Sequence, residues 1–91
     1  MEQDIRPGAV VLSLCGRDAG GHYIVLGTDG VYAGIADGRQ RRVERPKRKK
    51  HKHLRQVGSV SPEFAAKLAE EAKLSNSGLR KELLAFEAGF M

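Results

Sequence analysis

The 91-residue chain has one cysteine, no tryptophan, three prolines and only 5% aromatic residues. Cys15 alone cannot close an internal disulfide, so covalent stapling is excluded and a reducing, cytoplasmic setting is expected. With so few rings, the core must be aliphatic, drawn from the Val, Ile, Leu and Ala within the 41% hydrophobic content. No apolar run approaches the ~20 residues of a membrane-spanning helix. The opening residues, MEQDIRPG, are too acidic and polar to resemble a signal peptide. This length suits one small soluble domain.

Catalytic machinery is also sparse. Gly16 to Gly21 has the outer spacing of a phosphate loop, but His22-Tyr23 follows where Lys and Ser or Thr are required. No nucleophile–base pair is suggested, and the carboxylates are scattered over turns and helix surfaces. His51 and His53 lie near His22 and Cys15 without the paired spacing of a zinc site. The expectation is a protein that is not an enzyme, with no metal and no cofactor.

What the chain does have is positive charge in one place. The net charge is +5, yet residues 39–55 hold ten Lys or Arg and one acid, Glu44, a local +9 that leaves −4 elsewhere. A mildly acidic chain with one intense basic patch points to a localised polyanion contact. Crowding like charges costs self-repulsion, which a polyanion relieves through counterion release. PKRKK also fits a nuclear-localisation pattern. A membrane-surface role lacks an adjacent apolar face or lipidation signal.

Residues 9–57 read as five short strands. AVVLSL (9–14) alternates Val10, Leu12 and Leu14 against Ala9, Val11 and Ser13. HYIVLG (22–27) and VYAGIA (31–36) follow, with Asp29-Gly30 and Asp37-Gly38 as two-residue hairpin turns. RQRRVE (39–44) is expected as the fourth strand, ended by Pro46, with 47–52 as the connection to the fifth, and residues 45–52 are expected to be mobile alone and to order on RNA. HLRQV (53–57) is the fifth. Five such strands suggest a strongly bent, partly closed barrel, since closure hides sheet edges.

Beyond Gly58 the pattern turns helical. Ser61-Pro62-Glu63 is a helix start, followed by Phe64, Leu68 and Ala72 at i, i+4 and i+8. After SNSG (75–78), Leu79, Leu83, Phe86 and Phe90 form the apolar stripe of a second helix. The division is therefore a barrel over 1–58 and a helical extension over 59–91, packed on or beside it.

One stretch carries a further signal. IRPGAVVLSLCGRDAGGHYIVL (5–26) places Gly8 before an alternating strand, then CGRDAGG, then a second strand. It resembles the KOW motif of several ribosomal proteins and NusG-type transcription factors, matched at Gly8, Val10, Val11, Gly16, Arg17, Asp18, Gly20 and Tyr23 to Leu26. Asp37-Gly38-Arg39, Pro46-Lys47-Arg48-Lys49 and Lys52-His53-Leu54 look like the continuation in small bacterial KOW-domain RNA-binding proteins. These are related to a large-subunit ribosomal protein of archaea and eukaryotes. The resemblance implies a mainly β, SH3-like barrel and binding to RNA, ribosomal RNA foremost, with ribosomal proteins as possible neighbours.

On this reading, Gly16 and Gly20 shape the loop, Arg17 sits at its tip, and Asp18 holds Arg17 in place. Arg39, Arg41, Arg42, Lys47, Arg48, Lys49, Lys50, Lys52 and His53 supply the RNA contact, mostly to phosphates. Specificity would come from RNA shape, or from Tyr23, Tyr32 or His53 stacking on an unpaired base. Both tyrosines also fit a core role. The rival reading is a protein-interaction module that works through the Leu79/Leu83/Phe86/Phe90 stripe. DNA is a weaker rival, because nothing resembles a helix built for the major groove.

Overall fold

A computed structural model of the chain describes residues 4–70 and 74–89. Its elements are β1 (Ala9–Ser13), β2 (His22–Thr28), β3 (Tyr32–Ala36), β4 (Lys47–Lys50), a 3₁₀ turn (His51–His53), β5 (Leu54–Ser59), α1 (Pro62–Ala69) and α2 (Asn76–Ala88). The five strands form one antiparallel sheet in the order β4-β3-β2-β1-β5.

Alternation along the strands builds two apolar layers. Val11, Tyr23, Val25, Ala33, Ile35 and Leu54 point to one side and form a layer made almost wholly of strand residues. Val10, Ile24 and Ala36 point to the other and are covered by Phe64 of α1 and by Leu79 and Leu83 of α2. Leu79 is fully buried, worth roughly 2–3 kcal/mol from area alone. The aliphatic core anticipated from composition is present, and both faces of β1 are used.

The sheet is curled. β4 and β5 lie at opposite edges, which in a flat sheet would stand about 19 Å apart. Only the 3₁₀ turn His51–His53 separates them, and three such residues rise about 6 Å. The edges must therefore bend toward each other around the inner layer. Register shifts at Val10/Val11 and Val25/Gly27 supply local twist. No ladder joins β4 to β5 among the described residues, so the sheet is not closed.

Two expectations are corrected. Residues 39–44 do not form a strand, because their backbone donors are satisfied by side chains. Asp37 Oδ1 accepts from the amides of Arg39 (2.9 Å) and Arg41 (3.0 Å), and Asn76 Oδ1 accepts from Val43 N (2.8 Å). The fourth strand is instead Lys47–Lys50, inside the basic run expected to be a connection. Pro46 precedes that edge strand rather than ending one, where its missing N–H does no harm.

The helices begin as the sequence implies. Ser61 Oγ accepts from Phe64 N at 3.3 Å with Pro62 at the first helical position. Ser75 caps α2 through Gly78 N at 3.0 Å, so SNSG opens the second helix instead of merely interrupting. Glu82 of α2 accepts from both Ser61 N (2.8 Å) and Ser61 Oγ (3.1 Å), tying the two helices together. Ala72 and Phe90 lie outside the described residues.

Candidate nucleic-acid interface

The loop between β1 and β2, residues 14–21, is compact because glycine permits its turns. Gly16 has φ +81°, and a side chain there would also press on Lys49 Nζ at 3.3 Å. Gly20, with φ +87°, directs its amide to the Ser13 carbonyl at 2.9 Å, and Ser13 N bonds Gly21 O at 3.0 Å, closing the loop on its own strand.

Asp18 does not hold Arg17. Its carboxylate is 5% exposed and faces inward, where it meets two other cations. Arg41 Nε donates to Asp18 Oδ1 at 3.1 Å, and Lys49 Nζ lies 3.6 Å from Oδ2. Lys49 Nζ also donates to the Cys15 carbonyl at 2.6 Å. The Tyr23 hydroxyl approaches Asp18 Oδ1 at 3.5 Å. Burial, and then the Asp18 and Asp37 charges, push the Tyr23 phenol above its ordinary value. A free carboxylate at the loop tip would reach Arg17, but a buried carboxylate needs the strongest available compensation, and the fold delivers Arg41 and Lys49.

The basic residues therefore divide by environment. Lys49 is buried and Arg41 half-buried on Asp18, so neither projects freely. Arg42 pairs with Glu44 at 3.5 Å, both exposed. The Asn76 amide first, and Arg42 after it, hold Glu44 below the usual carboxylate range. Arg48 pairs with Asp29 at 2.9 Å and lies 4.3 Å over the Tyr32 ring. The Tyr32 and Val31 amides, followed by Arg48, likewise hold Asp29 low. Arg17, Arg39, Lys47 and Lys52 are exposed and Lys50 half-exposed, and none of these five side chains has an ion-pair partner among the described residues.

Backbone bonds bring the loop and the basic strand together. Leu14 N donates to His53 O at 2.9 Å, and Lys49 reaches Cys15 O. On the far side, His51 N donates to Val31 O at 2.9 Å. The segment 47–53 thus runs between the Arg17 loop and the β2–β3 hairpin as one edge of the sheet. Arg39 stands apart, beside a cleft of about 320 Å³ that also involves Arg80, Leu84 and Glu87.

Sequence reasoning overlooked Asn76. Its side chain donates to Glu44 Oε1 at 2.6 Å while accepting from Val43 N, so it fastens the 39–45 loop to α2. Its place at the start of a helix signals local capping, and nothing in the pattern signals the distant loop. Arg45 and Arg55 are additional exposed cations beside the expected set.

No known protein-family model matches the chain, and no curated protein matches it.

Proposed function

We propose that this protein is a KOW-type, SH3-like RNA-binding protein that grips structured RNA, ribosomal RNA foremost, as a ribosomal or ribosome-associated component in the cytoplasm. The observation that carries the reading is the junction of the Arg17 loop with the 47–53 edge through Lys49–Cys15 and Leu14–His53. It gathers Arg17, Lys47, Lys50 and Lys52, none of them paired to an acid, along one margin of a curled sheet. Phosphates satisfy such an array, and affinity through them is strongly salt-dependent. Lys49 and Arg41 belong to the frame that positions the array rather than to the contact. Among the described residues no helix carries the basic face that major-groove reading needs, which favours RNA over DNA.

A second reading rests on β4 being an edge strand. Lysines on a sheet edge also prevent edge-to-edge pairing of chains. The helix stripe, by contrast, is poorly available to a partner, since Leu79 and Leu83 are already buried against the sheet.

Titration of ribosomal RNA fragments and a matched DNA duplex across a salt series separates these readings. Replacing Arg17, Lys47, Lys50 and Lys52 together by alanine is expected to flatten the log–log salt slope by about 3. Equal, weak binding to RNA and DNA, or an unchanged slope, would refute the RNA reading. Self-association of the variant without loss of RNA affinity would support the edge-protection role.

A further inference from the structure

The helices cover only part of the outer sheet face. They pack over Val10, Ile24 and Ala36. Two and four residues back from Ala36, the same face of β3 presents Gly34 and Tyr32, and no helix residue lines the cleft there. That open cleft, of about 420 Å³, is bounded chiefly by Leu26, Gly27, Tyr32, Gly34, Pro46 and Arg48. Gly27 and Gly34 are register partners across β2 and β3, so the floor is bare backbone. A side-chain carbon built on Gly27 would meet nothing within 4 Å.

Its walls suit a flat, anionic-tailed group. Tyr32 is one of two tyrosines in a chain without tryptophan, and the other, Tyr23, is buried in the inner layer. Phe64 and Phe86 pack between helices and sheet. Tyr32 is therefore the one tyrosine or phenylalanine among the described residues that faces the basic edge. Directly across from it and from Gly34 in β4 stand Lys50 and Arg48. The Arg48 guanidinium now lies over the Tyr32 ring, held by Asp29 through a pair whose side chains are 68% and 54% exposed. An ion pair so exposed contributes little and exchanges readily.

We propose that this cleft seats one unpaired RNA base, with Tyr32 as the stacking surface, the Gly27/Gly34 floor admitting the ring, and Arg48 leaving Asp29 to take the adjoining phosphate. The inference rests on the RNA reading above and adds to it a preference for RNA with an unstacked nucleotide. Planar stacking on tyrosine tolerates any base, so the preference is for an extruded nucleotide and not for a sequence.

The test compares a fully paired RNA hairpin with the same hairpin carrying one bulged nucleotide, against wild type, Gly27→Val, Tyr32→Leu and Tyr32→Phe. Wild type is expected to favour the bulged hairpin. Gly27→Val fills the floor, and Tyr32→Leu removes the stacking face. Each should erase the margin, a loss of roughly 5- to 150-fold, while leaving affinity for the paired hairpin unchanged. Tyr32→Phe should keep the margin. The Gly27 and Gly34 amide resonances should shift with the bulged RNA and not with the paired one. Binding of RNA with no margin for the bulge, or a margin that survives Tyr32→Leu, overturns the base seat and leaves the RNA reading standing. If neither hairpin binds, the RNA reading fails and this inference falls with it. Should Gly27→Val fail to fold, the Tyr32→Leu and Tyr32→Phe pair decides alone.

Discussion

At the residue scale, the decisive group is Asp18. A carboxylate 5% exposed with Arg41, Lys49 and Tyr23 around it makes a buried charge centre joining four segments, the 14–21 loop, β2, the 37–44 loop and β4. Such centres add little net stability when intact, yet removing one partner strands the rest. Asp18→Asn is expected to cost about 3–5 kcal/mol in urea unfolding, with the RNA salt slope of the folded protein unchanged. Tyr23 adds a pH signature. Its folded phenol titrates above its ordinary value of 10.0, so the neutral phenol's contribution is complete below pH 10 and is lost as pH rises through the raised value. Stability should fall more steeply above pH 10 in wild type than in Tyr23→Phe, as unfolding followed between pH 8 and 11.5 would show. Equal slopes would remove Tyr23 as the cause.

At the element scale, α2 works as a clasp on the 37–44 loop. Arg80 donates to Gly38 O at 2.6 Å, and Asn76 holds both Val43 and Glu44. Gly38 has φ +79°, and any side chain there would collide with the Asn76 carbonyl. Gly38→Ala therefore meets backbone strain and backbone contact together. A loss of about 1–3 kcal/mol is expected, visible in thermal or denaturant unfolding, with faster amide exchange in residues 39–44. A neutral Gly38→Ala would mean that the loop and α2 separate without cost. The same clasp explains why 39–44 is not a strand, because donors engaged by Asp37 and Asn76 are withdrawn from any ladder.

At the scale of the whole molecule, sheet and helices share one of the two apolar layers. The division at residue 58 or 59 separates segments of sequence whose side chains pack together. A chain ending at Val60 would expose Val10, Ile24 and Ala36 to water, an apolar patch that isolated small domains rarely carry. It is expected to lose cooperative unfolding and to bind a hydrophobic dye. A sharp, reversible melt of that fragment would show that the sheet stands alone. Charge follows the same global logic. The basic stretch of the sequence becomes a framework pair, Arg41 and Lys49, and an outward margin, only because curling brings residues 14–18 against residues 47–53.

Local pattern was enough for the elements whose signals are local. Alternation placed β1, β2, β3 and β5 to within two residues, and Ser61-Pro62-Glu63 announced α1, because strand period and cap chemistry are written in neighbouring residues. The charge asymmetry and the glycine-bounded loop were equally plain. The partner of Asp18, the strand hidden in Lys47–Lys50 and the grip of Asn76 on the 43–44 loop were not, since they depend on residues 12 to 33 positions apart in the chain. β4 is Lys or Arg at all four positions, so the alternation of its faces leaves no apolar–polar signature to read. Which lysine is buried and which faces out is a matter of register, and register is settled only when the sheet closes toward its own edge.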